Sequence, residues 1–454
     1  MIKRYVKTNN YHTVSVNDEQ YVLFNTILNH PIILGKDAFD WFELNEFINT
    51  EELEKYDLET KEVVEEFISS YLYLPEGITE WDLTDSINKR HLKNFETAKL
   101  FDCLDLRISE ICNFGCPHCI ASGANVGRIM DFNTAKDCVD AYIELKRKND
   151  PDFKIINVHF GNCEPLINYK VIKEIIEYIQ REYQSLTLTS SINTNLSLLT
   201  TEMASFFAQN DVQIYTSLDG PQKGNDAIRI YKDGKGTYND IISKFEIMKK
   251  VGTPIEGISI TINDLNFPYI NDDFFEWCIN KNFISVAVDF DLVNSTTISN
   301  EEKTDFLCNT WKKMTKKGIE FYGTWITPFL NLSNESSAEK GFAFCRAASG
   351  YNFSVDAQKK VYACSYSSEP MSELLSFKKA IMPGGRYYKY VKERLSGNLQ
   401  NEKCLKCFLY GACAGQCEMS VQNMDAKSLE TQCDFYRSIT EKMLAAQVEL
   451  MEEV

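Results

Sequence analysis

Apolar and polar positions alternate with period two over Tyr11 to Val16 and Gln20 to Asn25, predicting two strands joined by a short Asn-Asp-Glu turn. Ile32 to Leu34 predicts a third. The period then lengthens. Over Lys36 to Phe47 the apolar residues Phe39, Trp41, Phe42, Leu44 and Phe47 recur at helical spacing. Thr50-Glu-Glu-Leu opens a short helix with carboxylates on its first turn, where the helix dipole favours them. Thr60 to Tyr71 predicts another helix, and Tyr71 to Leu74 a closing strand. Three strands followed by three helices is a small winged-helix-like plan, and we set this unit at residues 1–95. Its apolar stripe reads most simply as core, with a binding groove as the alternative. Residues 81–99, with Trp81, Asp82, Asp85, Lys89, Arg90 and Lys93, read as a charged linker.

From about 100 to 325, strand and helix patterns alternate, which predicts a parallel β/α layout. The expected strands are Leu104–Ile108, Ile155–Phe160, Leu186–Asn193, Val212–Leu218, Gly257–Ile262 and Ser285–Phe290. The expected helices are Asn133–Arg147, Tyr169–Tyr183, Thr201–Gln209, Tyr238–Val251, Asp272–Asn282 and Glu301–Lys317. In β/α barrels, active groups gather at the C-terminal strand ends. Asp289 and Asp291 stand at such an end, although carboxylates there more often face solvent. A polar bridge follows at 325–345, with Asn331 to Lys340 its clearest loop. Phe435 to Glu452 predicts an amphipathic helix packing back on the barrel. No internal repeat or low-complexity tract appears.

Composition narrows the class. A net charge of −17 over 454 residues argues against nucleic acid or an anionic membrane as the main partner. The N-terminal residues lack an apolar signal core, and no run approaches the roughly 18 apolar residues of a membrane span. With 15 cysteines and no export signal, a reducing cytoplasm and metal sites are expected rather than disulfides.

The cysteines carry the chemistry. Cys112-x₃-Cys116-x₂-Cys119 follows the first barrel strand. Three thiolates so spaced can hold one corner of a cubane iron–sulfur cluster and leave the fourth iron open to a small ligand. Zinc is the competitor, but it needs a fourth ligand nearby. His118, wedged between Cys116 and Cys119, cannot easily swing round to supply one. A second set, Cys404-x₂-Cys407-x₅-Cys413-x₃-Cys417 followed by Cys433, stands downstream of Cys345 and Cys364. Cys103, Cys138, Cys163, Cys278 and Cys308 remain, and buried thiols of this kind are mostly small hydrophobes.

The first motif resembles that of the radical S-adenosylmethionine (SAM) enzymes, and the second resembles the SPASM extension found in their peptide-modifying members. The resemblance covers most of residues 100–440. It implies an α/β fold: a partial (β/α)₆ TIM-like barrel at 100–325, then a bridge and Cys-rich SPASM domain at 326–440, and a helix end at 441–454. It implies SAM and three [4Fe–4S] clusters. Cys112, Cys116 and Cys119 would hold the SAM-binding cluster and be catalytic. Cys345, Cys364 and Cys417 would hold an inner auxiliary cluster, and Cys404, Cys407, Cys413 and Cys433 an outer one.

SAM contacts are implied by further matches. His118 keeps a flat ring where the family usually has an aromatic before the last cysteine. Phe160-Gly-Asn-Cys-Glu-Pro165 is similar to the family's Gly-Gly-Glu-Pro segment, with Asn162 and Cys163 in place of the paired glycines and Glu164 carried over. Thr194-Asn195 matches the family's Thr-Asn. Ser217-Leu-Asp-Gly-Pro221, with Asp226 and Arg229, is similar to the SPASM-type Ser-x-Asp-Gly-Pro stretch, Asn225 replacing its His. Ser217 and Arg229 would contact SAM, the guanidinium suiting a carboxylate.

Val355 to Cys364 is similar to the family's hairpin before its second SPASM cysteine, with Lys359 in place of the turn glycine. A cysteine that completes the inner cluster in some members is Tyr351 here, so that cluster has an open iron or recruits a remote thiol such as Cys308. Residues 1–95 resemble a precursor-recognition element, in which a leader peptide adds a strand to a sheet edge.

The expected activity is that of a ribosomal-peptide maturase of the ranthipeptide and sactipeptide type, which forms thioethers. Its partners would be a precursor peptide and a flavodoxin- or ferredoxin-type electron donor. Alternatives are carbon–carbon crosslinking, epimerisation, anaerobic sulfatase maturation, or a non-enzymatic iron–sulfur redox sensor.

Overall fold

Short strands and one long polar helix set the N-terminal region. The computed structural model describes residues 4–333, 341–395, 402–422 and 424–453. Strands β2 (Tyr11–Ser15), β3 (Gln20–Asn25) and β4 (Asn29–Gly35) form one antiparallel sheet. Strand β1 (Arg4–Lys7) is flanked by β5 (Phe47–Asn49) and β6 (Tyr73–Pro75) in a second. The expected helix at 36–47 spans Lys36–Leu44, because Asn45 turns extended and Phe47 enters β5. Helices Thr50–Leu53 and Leu58–Ser69 follow, the latter capped by the Asp57 side chain.

The expected linker is a helix, Glu80–Glu96. Thr79 and Asp82 form a reciprocal capping box at its start. Its surface is mostly charged, but Leu92 and Phe95 enter the main core, and the His91 ring meets the Ser349 carbonyl at 2.7 Å. Val14, Val22 and Phe24 join the same core, so the N-terminal unit is not a detached bead.

The centre is one ten-stranded sheet. Its strands are β7 (Cys103–Leu106), β8 (Ile155–Phe160), β9 (Thr187–Thr194), β10 (Val212–Ser217), β11 (Gly257–Ile262), β12 (Ser285–Phe290), β13 (Glu320–Tyr322), β14 (Asn352–Val355), β15 (Lys360–Tyr362) and β16 (Ser372–Glu373). The spatial order is β13-β12-β11-β10-β9-β8-β7-β14-β15-β16. Every pairing from β13 to β14 is parallel. The six expected strands and their helices are all present within a few residues. Strands β13 and β16 are too short to show a period, and the parallel pairing of β14 with β7 joins residues about 250 apart.

Alternation gives the parallel strands two unlike faces. Ile156, Val158 and Phe160 of β8 lie in the apolar core, and so do Val286, Val288 and Phe290 of β12. Asn157, His159 and Asp289 take the opposite phase. The hairpin β14–β15 is antiparallel, and Lys359 adopts a left-handed φ of 61° in its turn. Asp356 holds that turn by accepting the backbone N–H groups of Gln358 and Lys360 at 2.9 Å each.

Residues 324–333 of the expected bridge are helical and bury Trp325, Pro328, Phe329 and Leu332, while 334–340 lie outside the described residues. The last helix begins before the expected start, at Ala426, where Asp425 caps it, and it runs to Glu452. It packs along helix Asn300–Lys316 and reaches β2, where His12 meets Glu441 at 2.9 Å. Among the described residues no helix is long and apolar enough to cross a membrane.

Candidate active site

Cys112, Cys116 and Cys119 sit on the loop after β7, all partly exposed. That loop is held from across the sheet. The Gly115 N–H donates to the Ile230 carbonyl at 2.8 Å, and the Phe114 ring packs edge-on against Tyr231 at 4.9 Å. The Phe114 N–H reaches Cys112 Sγ at 3.4 Å, and Asn195 Nδ2 approaches the same sulfur at 3.8 Å. Burial pushes the Cys112 thiol up to about 11, and the neighbouring charges include Cys116 and Cys119. Thiols of one loop that act on one another, with N–H donors to Cys112 from Phe114 and to Cys116 from Ile230, suit anionic sulfur bound to a cationic cluster.

Glu164 lies beneath this loop, fully buried. One oxygen accepts the Leu166 N–H at 2.9 Å and the Thr194 hydroxyl at 2.6 Å, and the other accepts the Asn195 N–H at 2.7 Å. Burial raises its carboxyl to about 7 against those three donors. Thr194 and Asn195 therefore meet Glu164 directly. Asn195 also bonds Asn113 Oδ1 at 2.9 Å, tying the segment to the cysteine loop. Asn162 and Cys163, which stand at the paired-glycine positions, keep left-handed φ values of 68° and 23°. The turn thus holds a backbone conformation that favours glycine, and the strain sits beside the site. Cys163 feels the charges of Cys112 and Cys119, unlike the remote Cys138 and Cys278.

Arg229 is largely buried, with a partner already in its fork. Its Nε and Nη2 donate to the two oxygens of Asp219 at 2.8 and 3.1 Å, and Asp219 also accepts the Thr261 N–H at 2.8 Å. His118 Nε2 lies 3.5 Å from both Arg229 Nη2 and Asp219 Oδ2, and burial lowers its pKa. Ser217 ends β10, two residues before Asp219. Asn225 is fully buried and pins the turn through the Asp219 N–H and Thr237. The Ser-x-Asp-Gly-Pro motif contained Asp219, but its pairing with Arg229 was not legible until the chain folded.

The later cysteines fall into two groups. Cys364 feels Cys345 and Cys417, with N–H donors from Tyr366 to Cys364, from Ala347 and Ala348 to Cys345, and from Met419 and Ser420 to Cys417. Cys413 feels Cys407 and Cys433, and Cys433 in turn feels Cys404. Gln416 donates to Cys433 Sγ at 3.0 Å. Ala414, Gly415 and Gln416 all have positive φ, so the chain between Cys413 and Cys417 is a tight left-handed wrap. Among the described residues no Cys, His, Asp or Glu trio converges as the ligands of a single metal ion would. Cys308 is elsewhere: its thiol faces the Lys442 carbonyl at 3.7 Å. The Tyr351 ring packs on the Arg346 guanidinium at 4.8 Å.

Asp289 and Asp291 are not solvent-facing as their class suggested. The Thr324 N–H and hydroxyl hold Asp289 at 2.7 and 2.6 Å, and burial lifts its carboxyl to about 6. Asp291 is 7% exposed and accepts the Val293 and Asn294 N–H groups at 2.9 Å each.

Residues 106–279 match the radical SAM superfamily. The chain is 22% identical over 405 residues to the radical SAM cyclopropyl synthase TigE of Paramaledivibacter caminithermalis, spanning 85% of this chain and 83% of that one. It is 23% identical over 352 residues to a serine-type anaerobic sulfatase-maturating enzyme of Bacteroides thetaiotaomicron, spanning 68% and 80%. Its fold is similar to that of Streptococcus suis SuiB bound to the precursor peptide SuiA, with a TM-score of 0.52 at 14% identity over 93% of this chain and 98% of SuiB.

Proposed function

We propose that this radical SAM enzyme, related to ribosomal-peptide maturases and anaerobic sulfatase maturases, oxidatively matures a precursor peptide and closes a thioether from a cysteine sulfur to carbon. The radical SAM family implies one [4Fe–4S] cluster and SAM. When bound, they supply a 5′-deoxyadenosyl radical that removes hydrogen from an unactivated carbon. Cys112, Cys116 and Cys119 would hold that cluster. Glu164, Thr194 and Asn195 would form the floor beside it, and His118, Ser217 and the Arg229–Asp219 pair would line the neighbouring wall. The two later cysteine groups would hold auxiliary clusters, with an electron donor of the flavodoxin or ferredoxin type.

One observation carries the thioether reading. The inner group has three thiols, while Cys308 and Tyr351 are engaged elsewhere. Three thiols leave one iron of a cubane for a substrate cysteine, whose thiol a metal deprotonates. Residues 1–95 would bind the leader at a sheet edge, a reading supported by the breadth of the likeness to SuiB. A second reading, carbon–carbon bond formation, is favoured by the extent of the match to TigE.

The test is anaerobic reaction with a synthetic peptide encoded by the reading frame adjoining the gene. Loss of two hydrogens, with one cysteine made unreactive to alkylation, is expected. The same mass loss with every cysteine still alkylated would establish the carbon–carbon reading instead.

A further inference from the structure

Asp105 is a carboxylate with one oxygen committed and one not. It stands in the middle of β7, between Ser354 of β14 and His159 of β8 in register. Leu104 and Leu106 on either side point into the core, so Asp105 takes the polar face, yet it is only 7% exposed. Its Oδ2 accepts the hydroxyl of Ser365. Its Oδ1 has no partner among the described residues. A buried, unpaired carboxylate oxygen is costly, and such a group is retained where something is to be bound.

The surroundings say what faces it. Gly161 packs closely against it: a Cβ there would stand 3.3 Å from Asp105 Oδ1 and 2.7 Å from His159 Nε2, so glycine lets the end of β8 approach both side chains. Ser365 and Tyr366 directly follow Cys364 of the inner group. Arg107 clamps this loop, donating to the Cys364 and Ser367 carbonyls at 2.9 Å each while stacking on Tyr362 at 3.6 Å. Tyr366 remains 39% exposed, although Cys364, Asp105, Cys119 and Asp289 all act on its phenol. Its phenol therefore stands between the first cysteine loop and the inner cysteine group.

We propose that Asp105 is the proton acceptor for the substrate peptide in the oxidative step, with Ser365 and Tyr366 positioning the residue being modified. This rests on the maturase reading above. Closing a thioether removes two hydrogens from the peptide. The C–H hydrogen leaves as an atom to the adenosyl radical, giving 5′-deoxyadenosine. The S–H bond breaks with its proton going to Asp105 Oδ1. The sulfur–carbon bond forms, and the remaining electron passes to an oxidised iron–sulfur cluster. A carbon–carbon product would need the same acceptor, since it too loses one hydrogen as a proton and an electron.

The experiment uses the cluster-reconstituted enzyme with that synthetic peptide, deuterated at carbon throughout its core. Asp105→Asn should lower the yield of product per deuterium delivered to 5′-deoxyadenosine by about 10²-fold, the usual scale of a lost general base. Asp105→Glu should recover part of that ratio. Fluorescence anisotropy of the labelled peptide should show both variants binding it. An Asp105→Asn enzyme with the wild-type ratio overturns the proposal. So does a loss of peptide binding that accounts for the whole defect. Iron content and circular dichroism check folding. If Asp105→Asn does not fold, Ser365→Ala, which frees Oδ2, should depress the same ratio, and an unchanged ratio there overturns the proposal. A wild-type enzyme that cleaves SAM but leaves the peptide intact overturns the maturase reading first and the acceptor role with it.

Discussion

The Gly411 N–H donates to the Thr26 carbonyl at 2.9 Å, and a Cβ on Gly411 would fall 2.0 Å from the carbonyl oxygen of Ile27. The β3–β4 turn is thereby seated on the chain between Cys407 and Cys413. His12 extends this contact by stacking on Phe408 at 4.0 Å. The N-terminal sheet and the outer cysteine group share a wall that has no room for a methyl group. Gly411→Ala should therefore destabilise the protein by roughly 1–3 kcal/mol, as overpacking against backbone does. Thermal unfolding together with iron retention checks it, and an unchanged profile would show the seat to be dispensable.

Replacing Cys112, Cys116 and Cys119 together by alanine should abolish 5′-deoxyadenosine formation. Iron should fall from about twelve to about eight per chain, given three four-iron clusters. Iron and sulfide analysis after anaerobic reconstitution reads this directly. A wild-type value near four would remove the auxiliary assignment.

Glu164 should make stability depend on pH. Its folded pKa, about 7, is raised above the ordinary 4.5 by burial. Below about 4.5 the group is protonated in both states and costs nothing. As pH rises towards 7 the unfolded chain ionises first, so stability falls, by on the order of 3 kcal/mol in all. Glu164→Gln should flatten this fall between pH 5 and 8, measured by anaerobic thermal unfolding. A slope equal to wild type would show that Glu164 is not the source.

The Arg229–Asp219 pair is buried, and breaking it should leave an uncompensated carboxylate. Arg229→Met should cost about 3–5 kcal/mol, and Arg229→Met with Asp219→Leu much less. Denaturant titration of the two variants gives the comparison. Equal losses in both would deny the coupling.

Leader binding is better tested by substitution than by truncation at residue 95. Such a cut removes Val14, Val22, Phe24 and Phe95 from the main core. Ile33 on β4 and Phe47 on β5 are 42% and 45% exposed and lie on edge strands. If either edge receives the leader, arginine there should weaken binding about tenfold, or 1.4 kcal/mol. Anisotropy with a labelled leader reads it, and full affinity in both variants would exclude these edges.

The sequence by itself determined the six strand–helix units, because strands such as Ser285–Phe290 carry their core residues at period two and the helices between them are long. It also kept Cys112, Cys116 and Cys119 together, since their spacing confines them to one short loop, whereas Cys413 and Cys417 stand four residues apart and fall into different groups. Local pattern says which residues are buried, but not against what. Glu80–Glu96 looked like a linker because only a few residues, among them Leu92 and Phe95, mark its core face. Asp289 and Asp291 looked solvent-facing because their partners come from loops that follow the strand. The left-handed turn at Asn162 and Cys163 was hidden because neither residue is glycine. Asp105 gave no signal at all: its neighbours Ser365 and Gly161 reach it only after the chain has crossed the sheet and returned. The tertiary structure alone decided those meetings, because burial, desolvation and unpaired oxygens arise where distant segments exclude water together.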